Sequence, residues 1–148
     1  IDDKEIDIVP SNQMGLEEIY YQKQPIEIAS PPAGKKINRP LGDLFGARSG
    51  DKGGCANVGV WAKTEKAFSF LNDYLTVKKI KELLPDLQEF EIDRYELPNI
   101  LSLNFYVHGI LEDGVSSNTR KDGQAKSLGE YLRAKYVDIP KSLFEEKI

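Results

Sequence analysis

Eight residues late in the chain, Leu101-Ser102-Leu103-Asn104-Phe105-Tyr106-Val107-His108, alternate apolar and polar without a break. A period of two belongs to a β-strand with one face in a core and the other outside. Strands of this kind sit in antiparallel sheets that are covered on one side only. The fold must therefore supply antiparallel neighbours and a helical layer for the apolar face. The polar face is left to meet solvent or a partner.

The flanking segments supply both. Leu41 to Arg48 reads as a short strand and Asn57 to Ala62 as a second, with Val58 and Val60 opposed to Asn57, Gly59 and Trp61. Thr64 is an N-cap for a helix through Leu75, with Ala67, Phe68 and Leu71 on one side. Thr76 starts a second helical run carrying Val77, Ile80, Leu83 and Leu84, and Pro85 stops it. Glu89 to Leu97 reads as a third strand with Phe90 and Ile92 on one side. Gly109, Asp113, Gly114 and Gly123 mark a polar loop. A last helix is expected from Ala125 to Tyr136, presenting Ala125, Leu128, Leu132 and Tyr136, and ended by Asp138-Ile139-Pro140. The expected fold is α+β: a two-layer sandwich in ββαββα order. Its mainly antiparallel four-stranded sheet carries two helical segments on one face.

Residues 1–39 differ from the rest. Pro10, Pro25, Pro31 and Pro32 break them up, and Ala29-Ser30-Pro31-Pro32-Ala33-Gly34 is linker-like. They read as a linker or docking arm, with a helical turn at Leu16 to Tyr21, ahead of a domain spanning 40–148. The chain's 148 residues fit one domain, and its start at Ile reads as that of a fragment or of a processed protein. A net charge of -4 argues against nucleic acid as partner. One cysteine, Cys55, rules out an internal disulfide and fits a reducing, cytoplasmic setting. One histidine, His108, rules out the common Cys/His zinc sites, and no metal or cofactor is expected. No apolar run approaches the roughly 18 residues of a membrane span, and IDDKEIDIVP is no signal peptide.

The richest chemistry lies in Arg48-Ser49-Gly50-Asp51-Lys52-Gly53-Gly54-Cys55-Ala56-Asn57, read as a ten-residue loop between two strands. Backbone N–H groups around glycines, with Lys52 and Arg48 beside them, suit a phosphate, a carboxylate or an acyl-CoA. The spacing is neither a Walker A loop nor a dinucleotide fingerprint. An ordinary glycine turn with Asp51 and Lys52 in solvent is the alternative. Ser49 paired with Lys52 or Asp51 would be a nucleophile, but such a serine is commonly a turn residue. Cys55 is either a thiolate near Lys52 or a small buried hydrophobe. His108 shares its strand face with Asn104 and Tyr106, as a base or as a hydrogen-bonded edge residue. Asp93-Arg94-Tyr95-Glu96-Leu97-Pro98-Asn99 is a strand with a cross-strand ion pair, or it places Arg94 and Asn99 as support beside the loop.

Three stretches, "ARSGDKGGCANVGVWA", "RYELPNILSLNF" and "KSLGEYLRAKYVDIP", resemble the C-terminal domain of the acyclic terpene utilization protein A (AtuA) family. The resemblance covers roughly residues 40 to 148. It implies a ferredoxin-like fold, here in a permuted or variant strand order. It also implies a much larger N-terminal domain as partner, in the same or another chain. The residues matching the motifs are Arg48, Ser49, Gly50, Asp51, Lys52, Asn57 and Gly59, then Glu96, Pro98, Asn99 and Asn104, whereas Gly54 and Cys55 depart from many members. The family is associated with degradation of acyclic terpenes such as citronellol and geraniol through acyl-CoA intermediates. Two functions are carried forward from this. In one, the SGDKGG loop binds an anionic ligand or the partner domain, using Arg48, Ser49, Gly50, Asp51, Lys52, Gly53, Asn57, Asn99 and Asn104. In the other, the chain is a non-catalytic oligomerisation or docking domain, a homo-oligomer whose Asn104/Tyr106/His108 face is interface. A stand-alone hydrolase acting through Ser49 ranks third, for want of an oriented base.

Overall fold

The computed structural model describes residues 27–145. The expected helical turn at Leu16 to Tyr21 lies outside the described residues. In chain order the elements are β1 (Lys36–Pro40), β2 (Gly46–Lys52), β3 (Cys55–Trp61), α1 (Glu65–Tyr74), α2 (Val77–Leu83), β4 (Ile92–Leu97), β5 (Ser102–Val107), α3 (Leu128–Arg133) and β6 (Tyr136–Pro140). Mixed helices and antiparallel sheets make this an α+β domain. Strands β2, β3, β5 and β4 form one sheet in the order β2-β3-β5-β4, with every neighbouring pair antiparallel. Strands β1 and β6 form a separate antiparallel pair.

The helices follow from their caps. Thr64 accepts a hydrogen bond from the Ala67 N–H at 3.2 Å, and Thr76 accepts one from Lys79 at 3.1 Å. Each satisfies an N–H that the first turn would otherwise leave bare. Proline at 85 opens a 3-10 turn and ends α2, as expected. The alternation of β5 holds through its length: Leu103, Phe105 and Val107 are fully buried, whereas Ser102, Asn104 and Tyr106 are half-buried. Ala56, Val58 and Val60 of β3 line the same core as Phe68 and Leu71 of α1, Ile80 of α2 and Leu128 and Leu132 of α3.

Four expectations need correction. The first strand does not run from Leu41 to Arg48. Leu41 to Asp43 is a 3-10 turn that sends Leu41 and Phe45 into the core, and β2 starts at Gly46. The ten-residue loop is mostly strand, because β2 and β3 pair up to Lys52↔Cys55 and leave two residues to turn. The helix expected from Ala125 to Tyr136 is only six residues long: Ala125 has a left-handed φ of 53°, which no helix accommodates, and Tyr136 already belongs to β6. Lastly, residues 36–39 of the expected arm are part of β1, and Asp138-Ile139-Pro140 is its pairing partner, with Asn38 donating to Asp138 Oδ1 at 2.8 Å.

Asp122 anchors the entry to α3. Its carboxylate accepts from the N–H groups of Lys126 and Ser127, each at 2.9 Å, and from Ser127 Oγ at 2.6 Å. Burial pushes its pKa up. The hydrogen bonds from Ser127 and Lys126, with Arg120 nearby, outweigh that, and the value lies below the ordinary one. A carboxyl depressed in the folded state stabilises above its unfolded pKa of about 3.9 and loses that contribution as pH falls through the folded value. Asp122→Ala is expected to cost about 1 kcal/mol at pH 7, as a lost cap does, with the difference shrinking below about pH 4. Melting curves across pH check this; a deficit that stays constant into acid refutes it.

Candidate functional site

The sheet's outer face carries the chemistry that the core face lacks. Reading across it from β2 to β4, registered residues form three rows. The first is Gly46–Trp61–Ser102–Leu97, the second Arg48–Gly59–Asn104–Tyr95, and the third Gly50–Asn57–Tyr106–Asp93. Beyond the third row lie the Lys52–Cys55 pair and, on the β5 side, His108, whose backbone N–H donates to the Glu91 carbonyl at 3.0 Å. Trp61 is 40% exposed, Tyr95 51% and Leu97 40%. Large apolar side chains gathered on one open face are a common feature of contact surfaces.

Polar groups on the face are tied to one another. Asn57 Nδ2 donates to Asn104 Oδ1 at 3.2 Å. His108 Nε2 lies 2.9 Å from Asp93 Oδ2, and the His108 ring meets Tyr106 edge-on with centroids 4.9 Å apart. The Gly109 N–H points at Cys55 Sγ at 3.4 Å. A hydrogen bond with Cys55 holds the Tyr106 phenol above its ordinary pKa. These contacts orient the side chains of β3, β4 and β5 without using up the glycine-floored part of the face.

The residues singled out in the sequence divide by strand parity. Arg48, Gly50, Lys52, Asn57 and Asn104 all fall on the open face. Ser49 and Asp51 point the other way, since Ser49 registers with Val58 and Asp51 with Ala56. Ser49 Oγ accepts from the Gly129 N–H at 2.9 Å, so it seats α3 against β2. Gly129 permits that approach, because a Cβ there would press on the Arg48 backbone at 3.2 Å. Lys52 Nζ turns back to its own Asp51 carbonyl at 3.0 Å. Gly53 takes the positive φ of 63° in the turn, and Gly54 accepts from the Leu111 N–H at 2.8 Å. Asn99 lies in the turn between β4 and β5, at the opposite end of the sheet from Gly53 and Gly54, about 20 Å of strand away. Arg94 does not stand beside the hairpin either: its guanidinium donates to backbone carbonyls at the end of α1.

Two glycines of the face have no explanation among the described residues. A Cβ at Gly50 would meet no described atom within 4 Å, and one at Gly59 would meet only the Arg48 carbonyl oxygen at 3.7 Å. Both sit inside strands, where glycine costs roughly 0.5–1 kcal/mol against alanine. Glycine inside a strand often marks a bulge, a tight bend or a site where a ligand or another backbone approaches closely. A separate groove of about 120 Å³ beside Ile28, Glu65, Phe68 and Leu101 is smaller than the roughly 300–1,000 Å³ of small-molecule pockets. Among the described residues, no cluster of His, Cys, Asp or Glu is arranged to hold a metal, and no helix is long and apolar enough to cross a membrane.

A family model described as the AtuA ferredoxin-like domain matches residues 39–138. The chain belongs to that family. The match takes in the whole four-stranded sheet and all three helices, and it runs from within β1 to within β6. Comparison with curated proteins gives no match, and neither does comparison with solved structures. The resemblance read from the three sequence stretches is thus confirmed at the level of the AtuA ferredoxin-like domain.

Proposed function

We propose that the chain is the assembly domain of an AtuA-type protein: it joins protein surfaces through the open face of its sheet and leaves the chemistry to another domain. The setting, acyclic terpenoid or branched acyl-CoA catabolism, comes with the family reading. The observation that carries the proposal is the glycine floor at Gly50 and Gly59, where no described atom comes closer than 3.7 Å to either Cβ position, bordered by exposed Trp61 and Tyr95. The layout is read as a ferredoxin-like unit with one strand moved. Starting from β3, the order is strand, helices, strand, strand, helix, and β2 occupies the edge position that a sixth, closing element would fill.

The anion-cradle reading draws less support from the geometry. The turn closes in two residues, Ser49 is engaged by α3, and Lys52 lies along its own backbone. Both hairpin cations still edge the open face, so they join the proposed contact surface. Gly59→Arg tests the reading, because the added side chain fits the free space and should leave the fold intact. Wild-type chain, alone or mixed with a separately expressed AtuA-type large domain, is expected to sediment as an assembly. Gly59→Arg is expected to release it with its melting temperature kept. An assembly indifferent to Gly59→Arg, or no assembly in either mixture, overturns the proposal.

A further inference from the structure

The open face bears a charge pattern that selects its occupant. Its β2 edge presents Arg48 and Lys52, and its β4 edge presents Asp93 and, one step beyond the strand, Glu91. One edge is cationic and the other anionic. The two edges lie three strand spacings apart, and Lys52 stands at the same height along the strands as Glu91.

We infer that the face is covered by a second copy of this chain, related by a two-fold axis that runs parallel to the strands between β3 and β5. This rests on the proposed role of the face in assembly and names its partner. Such an axis lays β2 of one copy over β4 of the other and keeps each row at its own height. Lys52 then faces Glu91 of the second copy, and Arg48 faces the exposed Tyr95 ring, a cation over an aromatic. Gly50 faces Asp93 and Gly59 faces Asn104, so each glycine supplies room where the other copy has a side chain. Trp61 leans over Gly46, where a Cβ would run into its indole ring, and that position faces Leu97. The opposite choice, an axis across the strands, stacks β2 on β2 and sets cation against cation. Isologous contacts are the commonest in homo-oligomers, and sheets that pack face to face keep their strands aligned within about 30°.

Strand spacing and rise give a footprint of about 400 Å² per copy, about half of a standard interface, so the association is reversible. Sedimentation of the full chain over a concentration series is therefore expected to show a monomer–dimer equilibrium. Trp61 is the chain's single tryptophan, and its emission should shift to the blue as the dimer forms. Lys52→Glu and Glu91→Lys are each expected to weaken dimerisation about tenfold, and the double exchange to restore it to within about threefold. Both residues are exposed, so neither change disturbs the core. A monomer at every concentration overturns the second copy as occupant. If such a monomer binds the large domain and Gly59→Arg abolishes that binding, the assembly role still stands. A dimer indifferent to both exchanges, or one not rescued by the double variant, overturns this pairing.

Discussion

Gly54→Ala is expected to cost about 3 kcal/mol or more of folding stability, the range of overpacked, rigidly opposed sites. A Cβ on Gly54 would fall well inside contact distance of the Glu112 backbone oxygen. The obstacle is main chain, so no rotamer change relieves it. Either the hairpin or the segment after β5 must move. Moving that segment breaks the 2.8 Å hydrogen bond from Leu111 to the Gly54 carbonyl and unseats Ile110 and Leu111, both buried in the core. Neighbouring glycines supply the control. Gly53→Ala meets open space and incurs only the left-handed backbone penalty, about 1 kcal/mol. Gly59→Ala meets no described atom closer than 3.7 Å and should hold or raise stability, since alanine restricts the unfolded chain. Urea titrations rank the three. A Gly54→Ala loss under 1 kcal/mol would show that the hairpin does not lean on the segment after β5.

The same hairpin shows where legibility stopped. Gly53-Gly54 between two strands is a two-residue turn signal. It was masked because β2 alternates Ala47, Ser49 and Asp51 against Arg48, Gly50 and Lys52, with small or polar residues on both sides. Elements declared by local chemistry were readable: Thr64 and Thr76 with the apolar period behind them, and β5 by strict alternation. Strands β1 and β6 were not, because each is five residues long and finds its partner about 100 residues away. Their ends at Pro40 and Pro140 also read as breakers. At the site, parity placed Asn57 with Trp61 and Asn104 with Tyr106, which brought out the open face. Composition cannot say which glycines are needed inside the fold. Gly53 needs its torsion and Gly54 its lack of bulk, and only the assembled neighbours show that Gly50 and Gly59 need neither.

Arg94→Ala is the second large effect expected, about 3 kcal/mol, from the loss of charge-assisted hydrogen bonds to groups that then go unpaired. Arg94 Nε donates to the Leu75 carbonyl at 3.1 Å, and Nη2 donates to the Asn72 carbonyl at 2.8 Å and to Asn72 Oδ1 at 2.6 Å. These carbonyls lie at the C-terminal end of α1, where the helix itself leaves acceptors unsatisfied and a cation meets the negative end of the dipole. The side chain is only 17% exposed, so water does not replace it freely. Its bond to Glu96 is the exposed part of the arrangement and contributes little. The two roles separate experimentally. If the helix end is what matters, Glu96→Ala costs under about 1 kcal/mol, and Arg94→Lys recovers only part of the loss because an ammonium has no planar fork. Hydrogen exchange in the Arg94→Ala variant should then rise first over the last turn of α1. Equal losses for Arg94→Ala and Glu96→Ala would instead assign the stability to the ion pair and leave the end of α1 to hold itself.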